Sequence, residues 1–125
     1  RSLLAGEYPA FAGAEVVVLD LLTYAGTRTN LPADGHTFVH GDIRDPAVVG
    51  AAMAGTDVVV HFAAESHVDR SITGAADFVS TNVVGTQVLL QAALDAGVGR
   101  FVHVSTDEVY GSIDEGSWPE THPLE

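Results

Sequence analysis

Four short apolar runs, rich in β-branched residues, recur along the chain and constrain its fold more than any other feature. They are Val16–Leu19, Thr37–His40, Asp57–Phe62 and Phe101–Ser105. Continuous apolar runs of this length are typical of strands that are buried on both faces of a parallel sheet. The sequence therefore predicts four buried strands.

Helical patterns separate these runs. Asp45 is a good N-cap with Pro46 at the first helical position, and this helix should stop at Gly55. A longer helix is predicted over about Ala75–Ala96, with Gly97 closing it. Strands that alternate with helices form βαβ units, so we expect an α/β fold with a doubly wound, Rossmann-type parallel sheet.

One part of the doubly wound pattern is missing. That fold normally opens with a strand and a glycine-rich turn, and no such turn follows any of the four runs. In the strand order 3-2-1-4-5-6 the first strand lies between the second and the fourth. We therefore expect residues 1–125 to be an internal fragment of a single dinucleotide-binding domain, without its first strand and without a C-terminal substrate domain. The opening Arg1–Gly6 reads as the end of a helix, with Gly6 closing it.

Charge and composition exclude several functions. The net charge is −12, from five arginines, no lysine and 17 acidic residues. Binding to nucleic acid needs a basic stripe, and an anionic membrane surface also needs positive charge. Cysteine is absent, which excludes disulfides and thiolate chemistry, and no apolar run approaches the roughly 20 residues of a membrane helix. The expected protein is soluble and cytoplasmic, with no nucleic-acid or membrane partner.

Acidic residues follow the first two runs. Asp20 could accept hydrogen bonds from the ribose hydroxyls of an adenosine, and it would repel a 2′-phosphate, which favours NAD over NADP. Asp42 could accept from an adenine amino group while Ile43 packs on the ring. A loop cap at Asp20 and an acidic helix start at Asp42–Asp45 explain the same residues without a ligand.

Small residues follow the third run, and two adjacent carboxylates follow the fourth. Ala63 and Ala64 would let the backbone approach a cofactor closely, although tight packing beside an Asp69–Arg70 surface pair is the alternative. Asp107 and Glu108 could divide the roles of acid and base, or they could form a solvated acidic turn.

Six histidines raise the question of a metal. His40, His61 and His103 lie in or at the ends of the runs and could come together. Histidines isolated on strands are more often packed or hydrogen-bonded, and no HExxH-like spacing occurs. We therefore expect no metal site.

Taken together, five segments resemble the extended short-chain dehydrogenase/reductase superfamily, and within it the dTDP-glucose 4,6-dehydratases. They are Val18–Gly26, Gly41–Ile43, His61–Gly74, Thr81–Thr86 and Val104–Gly111. The resemblance covers essentially the whole chain. Its most specific parts are Ala63–Ser71 and Ser105–Gly111, since sister epimerases and decarboxylases usually lack the adjacent Asp and Glu.

The resemblance implies a tightly bound NAD and a dTDP-hexose substrate, which is converted to a 4-keto-6-deoxy sugar and water. Glu108 would be the base at C5, Asp107 the acid for the C6 hydroxyl, and Thr106 a hydrogen-bond partner of the C4 oxygen. Ser66 and Thr106 would contact the sugar. The residues implied to bind the cofactor are Asp20, Leu21, Leu22, Thr23, Asp42, Ile43, Phe62, Ala63, Ala64, Ser66 and Thr81. The full-length enzyme would be a homodimer, with the long helix as one candidate contributor.

Two departures from the family pattern stand out. Leu21 occupies a position where many members carry lysine, and we expect only a modest change in cofactor contact. The catalytic Tyr-x-x-x-Lys motif cannot be present in a chain without lysine and would lie beyond Glu125. We therefore expect these residues alone to be inactive. The alternatives are a nucleotide-sugar epimerase or decarboxylase of the same superfamily, and a non-catalytic NAD-binding protein.

Overall fold

The computed structural model describes residues 2–67, 69, 72 and 74–124. Within this part of the chain there are four strands; a loop with a 3₁₀ turn, Arg28–Asn30, joins the first two, and α-helices follow the second and the third. The strands are β1 (Val17–Asp20), β2 (Thr37–His40), β3 (Val58–His61) and β4 (Arg100–His103), and the helices are α1 (Pro46–Met53), α2 (Ala75–Phe78) and α3 (Thr86–Ala96). Each strand lies within two residues of a predicted run, so the predicted alternation is confirmed.

The strands form two parallel pairs. β1 pairs with β2, with Val18 opposite Phe38, and β3 pairs with β4, with Val59 opposite Phe101. In the described residues the two pairs remain separate two-stranded sheets. The α/β, parallel fold class is therefore confirmed, and the separation lies where the doubly wound strand order places a further strand.

Helix α1 begins and ends as its sequence predicts. The Asp45 carboxylate accepts hydrogen bonds from the N–H groups of Ala47 and Val48, at 2.9 and 3.3 Å, and Pro46 takes the first helical position. Gly55 follows the helix with φ of +75°, a conformation that favours glycine. The N-cap and Pro46 together fix the orientation of the helix directly after β2.

The long predicted helix is present but not uniform. A π-helical segment, Val79–Gly85, separates α2 from α3, and Gly97 closes α3 in the left-handed conformation. Gly85 packs directly against Ile43, because a Cβ at Gly85 would lie 2.6 Å from Ile43 Cδ1. Residue 85 must therefore be small for the helix to approach the loop after β2 this closely.

The hydrophobic core lies between α1, α3 and one face of each sheet. Leu19, Val59 and Phe101 pack from the strands against the buried residues. Those buried residues are Ile43, Val49, Met53, Leu89 and Ala93. This core connects the two sheets through the helices.

The prediction that the strands are buried on both faces is not met within the described residues. Val59 and Phe101 face the core, whereas their neighbours Val58, Val60 and Val102 are exposed. Side chains alternate between the two faces of a strand, and the described helices cover one face. The apolar runs were therefore correct indicators of strands but not of two covered faces.

The first residues end a helical turn as expected. Gly6 has φ of +71°, its N–H donates to the Leu3 carbonyl, and the Glu7 N–H donates to the Ser2 carbonyl. This is the hydrogen-bonding pattern of a Schellman motif. Arg1, which belongs to the predicted segment, lies outside the described residues. Among the described residues, no helix is both long and apolar enough to cross a membrane.

Candidate active site

Asp20, the last residue of β1, presents its carboxylate at the edge of the sheet, next to the loop that follows. Asp20 Oδ1 accepts a hydrogen bond from the Leu22 N–H at 2.7 Å, and Leu22 has φ of +52°. Gly26 lets the loop fold back, since a Cβ there would lie 2.6 Å from the Leu22 Cα. His40 Nε2 donates to the Leu21 carbonyl at 2.9 Å. The loop is thereby held in place, and the exposed Asp20 carboxylate keeps acceptor capacity for a ligand.

The loop after β2 carries an ion pair. The Arg44 guanidinium binds both oxygens of the Asp42 carboxylate, and the Arg44 N–H donates to Asp42 Oδ1 at 2.8 Å. These hydrogen bonds from Arg44 hold the pKa of Asp42 below its usual value. Asp42 is therefore an oriented, ionised carboxylate.

The side chain of Ile43, which lies between Asp42 and Arg44 in the sequence, belongs to the hydrophobic core. Its side chain is 8% exposed and packs in the core against Gly85. Only a small part of the side chain is therefore accessible to the adenine ring against which the sequence predicts that it packs. The pattern of residues around Ile43 could not show this, because its surroundings come from a helix about 40 positions away.

The loop after β3 is fixed to the π-helical segment. The Glu65 N–H donates to Asn82 Oδ1, and Asn82 Nδ2 donates to the Glu65 carbonyl, both at 2.8 Å. Around this anchor, Phe62, Ala63, Ala64 and Ser66 are exposed. The small residues expected to line a cofactor are thus accessible. Val68, Arg70, Ser71 and Thr73 of the same motif lie outside the described residues, and with them the alternative Asp69–Arg70 pair.

Two residues of the π-helical segment make hydrogen bonds at this edge of the protein, and Thr81 lies between them. Ser80 Oγ accepts from Arg44 Nη1 at 3.1 Å, Thr81 is half-buried, and Asn82 holds Glu65. A π-helical turn changes which side chains face a neighbour, and such turns are frequent at functional sites. Of these residues, the sequence analysis identified Thr81 alone, because one irregular turn leaves no periodic signal.

The loop after β4 carries the predicted catalytic residues. Thr106 caps a short 3₁₀ turn, Asp107–Tyr110, by accepting from the Glu108 N–H at 3.2 Å. The side chains of Asp107 and Glu108 are exposed at the start of this turn. Val104 N–H donates to the His61 carbonyl at 3.0 Å, which places the turn beside the loop after β3.

A cluster of three rings supports this turn from the other side. Tyr110 stacks on Trp118 with ring centres 5.9 Å apart, and His122 lies edge-on to Tyr110 at 6.1 Å. The cluster carries no signal in the sequence. Its members are spaced eight and four residues apart in a loop, where no periodicity links them.

Ring contact also joins the loops after β1 and β3. The rings of Tyr24 and His67 lie 6.2 Å apart. With the Arg44–Ser80 bond, this brings the predicted sites around Asp20, Asp42 and Ser66 to one side of the protein. Within each pair of strands, the loops that follow lie at the same edge, because the carboxyl ends of paired parallel strands share an edge.

The histidines do not form one group. His61 is buried, with Nε2 at 3.0 Å from Thr86 Oγ1 and its ring centre 5.0 Å from that of His103, whereas His40 binds the Leu21 carbonyl. Across the described ranges, no group of three His, Cys, Asp or Glu side chains could hold a metal ion.

The buried His61 should make stability depend on pH. Burial, and the charge of His103, lower the pKa of His61 from its ordinary value of 6.5. As the pH falls, the unfolded chain therefore protonates His61 at a higher pH than the folded chain does. The free energy of unfolding should decrease as the pH drops below about 6.5, and it should level off below the lowered pKa. Urea midpoints of the full-length protein at pH 7.5 and 5.5 should differ less in His61→Gln than in the unaltered protein.

The loop histidine His36 provides the control for that comparison. His36→Gln should retain the pH sensitivity of the unaltered protein. An equal loss of sensitivity in both variants would contradict the assignment to His61.

Parallel strands with two acids, small residues and a threonine–acid turn at their carboxyl ends define a dinucleotide-binding α/β domain. The chain belongs to the family described as GDP-mannose 4,6 dehydratase, whose sequence model matches residues 8–125.

The chain is similar to several individual proteins of known name. A dTDP-glucose 4,6-dehydratase of Streptomyces antibioticus is 66% identical over 110 residues, which cover 87% of this chain and 33% of the relative. The crystal structure of a dTDP-glucose 4,6-dehydratase from Streptomyces venezuelae, with NAD bound, superposes with a TM-score of 0.93 at 64% identity, over 100% of this chain and 40% of that one. A UDP-glucose 4-epimerase of Thermus thermophilus, in complex with NAD, gives a TM-score of 0.83 at 33% identity, over 99% and 40% of the two chains.

These comparisons confirm the resemblance read from the sequence and the Rossmann-like fold. The chain spans about a third of the length of that curated relative and 40% of each of the two solved chains. The identity to the two dehydratases is about twice the identity to the epimerase.

Proposed function

We propose that this chain is the part of an NAD-dependent dTDP-glucose 4,6-dehydratase that carries the adenosine site and the elimination pair. The observation that carries the proposal is the Thr106–Asp107–Glu108 turn at the carboxyl end of β4, in a chain 64–66% identical to dehydratases of that name. The substrate would be a dTDP-hexose, and the products a 4-keto-6-deoxy sugar and water.

The residues present fit NAD. Asp20 and Asp42 are acceptors at the carboxyl ends of paired strands, and the cofactor's ribose hydroxyls and adenine amino group are donors. Leu21, Leu22 and Thr23 lie in the same loop as Asp20. The remaining residues proposed to line the cofactor are Ile43, Phe62, Ala63, Ala64, Ser66 and Thr81. Ser66 would also reach the sugar.

NAD, when bound, would supply reversible hydride transfer, with a hydride taken from C4 of the sugar at the start and returned to C6 at the end. The carbonyl formed at C4 acidifies the C5 proton, which the Glu108 carboxylate removes. Asp107 gives its proton to the C6 hydroxyl as the C6–O bond breaks and the C5–C6 double bond forms, releasing water. When the double bond is reduced, the protonated Glu108 returns a proton to C5, and the C6 carbon becomes the methyl group. The Thr106 hydroxyl accepts from the Glu108 N–H and can still donate its own proton to the C4 oxygen. An epimerase has no elimination to perform and no use for this acid pair.

The nucleotide product tests the proposal. The full-length enzyme, given NAD and dTDP-glucose, should form a sugar with a keto group at C4 and a methyl group at C6, as read by NMR. A C4 epimer that keeps its C6 hydroxyl would identify a sister epimerase, and NAD binding without turnover would favour the non-catalytic alternative. UDP-glucose in parallel measures nucleotide preference.

Asp20 should set the preference for NAD. Asp20→Asn keeps an oxygen for the Leu22 N–H but removes the charge, so NAD binding should weaken about tenfold, as expected for a lost hydrogen bond to a charged group. Binding of NADP should weaken less, because repulsion of the 2′-phosphate is relieved. Calorimetric Kd values for both dinucleotides measure this.

The exposed loop acid Asp34 supplies the matched control. Asp34→Asn should leave both Kd values within twofold, as expected for a surface substitution away from the site. An equal loss of affinity for NAD and NADP in Asp20→Asn would contradict a role of Asp20 in discriminating between the two dinucleotides.

Two further features of the full-length enzyme are proposed here. The exposed apolar side chains Val79, Val83, Leu90 and Leu94 on the long helix make it a candidate for a homodimer interface. The negative charge and the absence of long apolar runs support a cytoplasmic enzyme.

A further inference from the structure

Arg44 donates hydrogen bonds to both oxygens of Asp42, the carboxylate proposed to bind adenine. Its Nε lies 3.0 and 2.9 Å from the two oxygens of Asp42, and its Nη2 binds Oδ2 as well. The Arg44 N–H holds Oδ1 from the main chain at 2.8 Å. A planar guanidinium bound to both oxygens fixes the rotation of a carboxylate, which a single donor cannot do.

The other end of the guanidinium is anchored to the long helix. Arg44 Nη1 donates to Ser80 Oγ at 3.1 Å, and Asp77 and Glu65 add favourable electrostatic interactions. The Arg44 stem packs near Gly85, where a Cβ would lie 3.5 Å from Arg44 Cγ. Arg44 therefore links the loop after β2 to the helix whose π-helical segment holds the loop after β3.

We propose that Arg44 is a positioning residue that fixes the Asp42 carboxylate for the amino group of adenine, and so contributes to selection of the base. The inference rests on the proposed NAD-binding function. Asp42 is partly exposed, with 24% of its side chain accessible, so without Arg44 it could rotate toward solvent. Ordering a free side chain on binding costs affinity, and Arg44 removes this cost in advance.

A purely structural role is the competing explanation. In that case Arg44 would hold the loop to the helix, and its replacement would lower the affinity for every dinucleotide to the same extent. The analogue of NAD in which hypoxanthine replaces adenine separates the two cases. It carries a carbonyl oxygen in place of the amino group and offers Asp42 no donor there.

The experiment measures Kd values of NAD and of the hypoxanthine analogue by calorimetry. The proteins are the full-length enzyme and its Arg44→Met, Arg44→Lys and Arg28→Met variants. Arg28 is the control, since its guanidinium stacks 4.5 Å above the Phe38 ring in another loop. The unaltered enzyme should bind NAD more tightly than the analogue. Arg44→Met should raise the Kd of NAD about tenfold and change the Kd of the analogue less than twofold.

The remaining variants sharpen this result. Arg44→Lys should retain part of the preference, because an ammonium is a single point charge and cannot match both oxygens. Arg28→Met should keep the full preference. Unfolding midpoints show whether Arg44→Met is folded, and Arg44→Lys carries the test if it is not.

Two results would overturn the inference while leaving the proposed function in place. One is an equal loss of affinity for NAD and the analogue in the Arg44 variants, and the other is an unchanged preference. Failure of the unaltered enzyme to bind NAD would overturn the proposed function, and this inference with it.

Discussion

Replacing Glu108 by Gln in the full-length enzyme should slow dehydration by about 10²–10⁴-fold, and replacing Asp107 by Asn should do the same. Both substitutions keep the size and the turn but remove the ability to take or give a proton. Thr106 should still cap the turn, because its hydroxyl accepts from the backbone N–H of residue 108. The loss should fall on kcat rather than on NAD affinity, since neither residue is proposed to contact the cofactor.

Deuterium exchange separates the two roles. In D₂O, removal of the C5 proton leads to uptake of deuterium at C5, which NMR detects in the sugar. Glu108→Gln should lose this exchange along with dehydration. Asp107→Asn should still exchange at C5 while the C6 hydroxyl stays in place, because the base is intact and the acid is missing.

A second adjacent acid pair provides a matched control. Asp114 and Glu115 are exposed in the following loop, and Asp114→Asn or Glu115→Gln should leave kcat within twofold. Exchange patterns opposite to those expected for Asp107 and Glu108 would reverse the assigned roles. Full activity in both catalytic variants would remove the elimination pair from the mechanism.

Replacing Leu89 by Ala should lower the free energy of unfolding by about 2–5 kcal/mol. Leu89 is 5% exposed and lies in the core cluster with Val49 and Met53. This cluster joins α1 to α3 and connects the two sheets. Because helices and strands surround a cavity at this position, the structure cannot relax to fill it by moving a single loop. Urea unfolding of the full-length protein measures the change from the shift in midpoint at constant slope.

The same substitution five positions later on α3 is the control. Leu94 is 76% exposed, and Leu94→Ala should change the free energy of unfolding by less than about 0.5 kcal/mol. A large loss at Leu94 with none at Leu89 would contradict the orientation of α3. Large losses at both would show that the exposed face of the helix is covered in the full-length enzyme.

Local sequence signals were sufficient for the elements and for the position of most site residues. The apolar runs predicted the strands, and Asp45, Pro46 and Gly97 predicted the helix ends, because caps depend on residues close in sequence. Asp20, Asp42 and Asp107 were identified because each comes just after a run. In a parallel sheet that position is enough to place a side chain at the ligand edge.

Contacts between distant segments could not be predicted in the same way. The sequence contains Arg44 two residues after Asp42, but only the folded chain brings Ser80 to the other end of its guanidinium. Likewise, the sequence does not show that Gly85 approaches Ile43 closely and leaves only 8% of that residue exposed.

The sequence by itself determined the alternation of strands and helices, the acids at the strand ends and the family to which the chain belongs. Hydrogen-bond caps and apolar runs act over a few residues, and the printed order of residues contains them. The tertiary structure decided which strand faces are covered among the described residues, how the π-helical segment meets the loops, and which residue anchors the far end of the Arg44 guanidinium. These outcomes depend on contacts between segments that are distant in sequence, such as Glu65 with Asn82 and Arg44 with Ser80, which no local pattern contains.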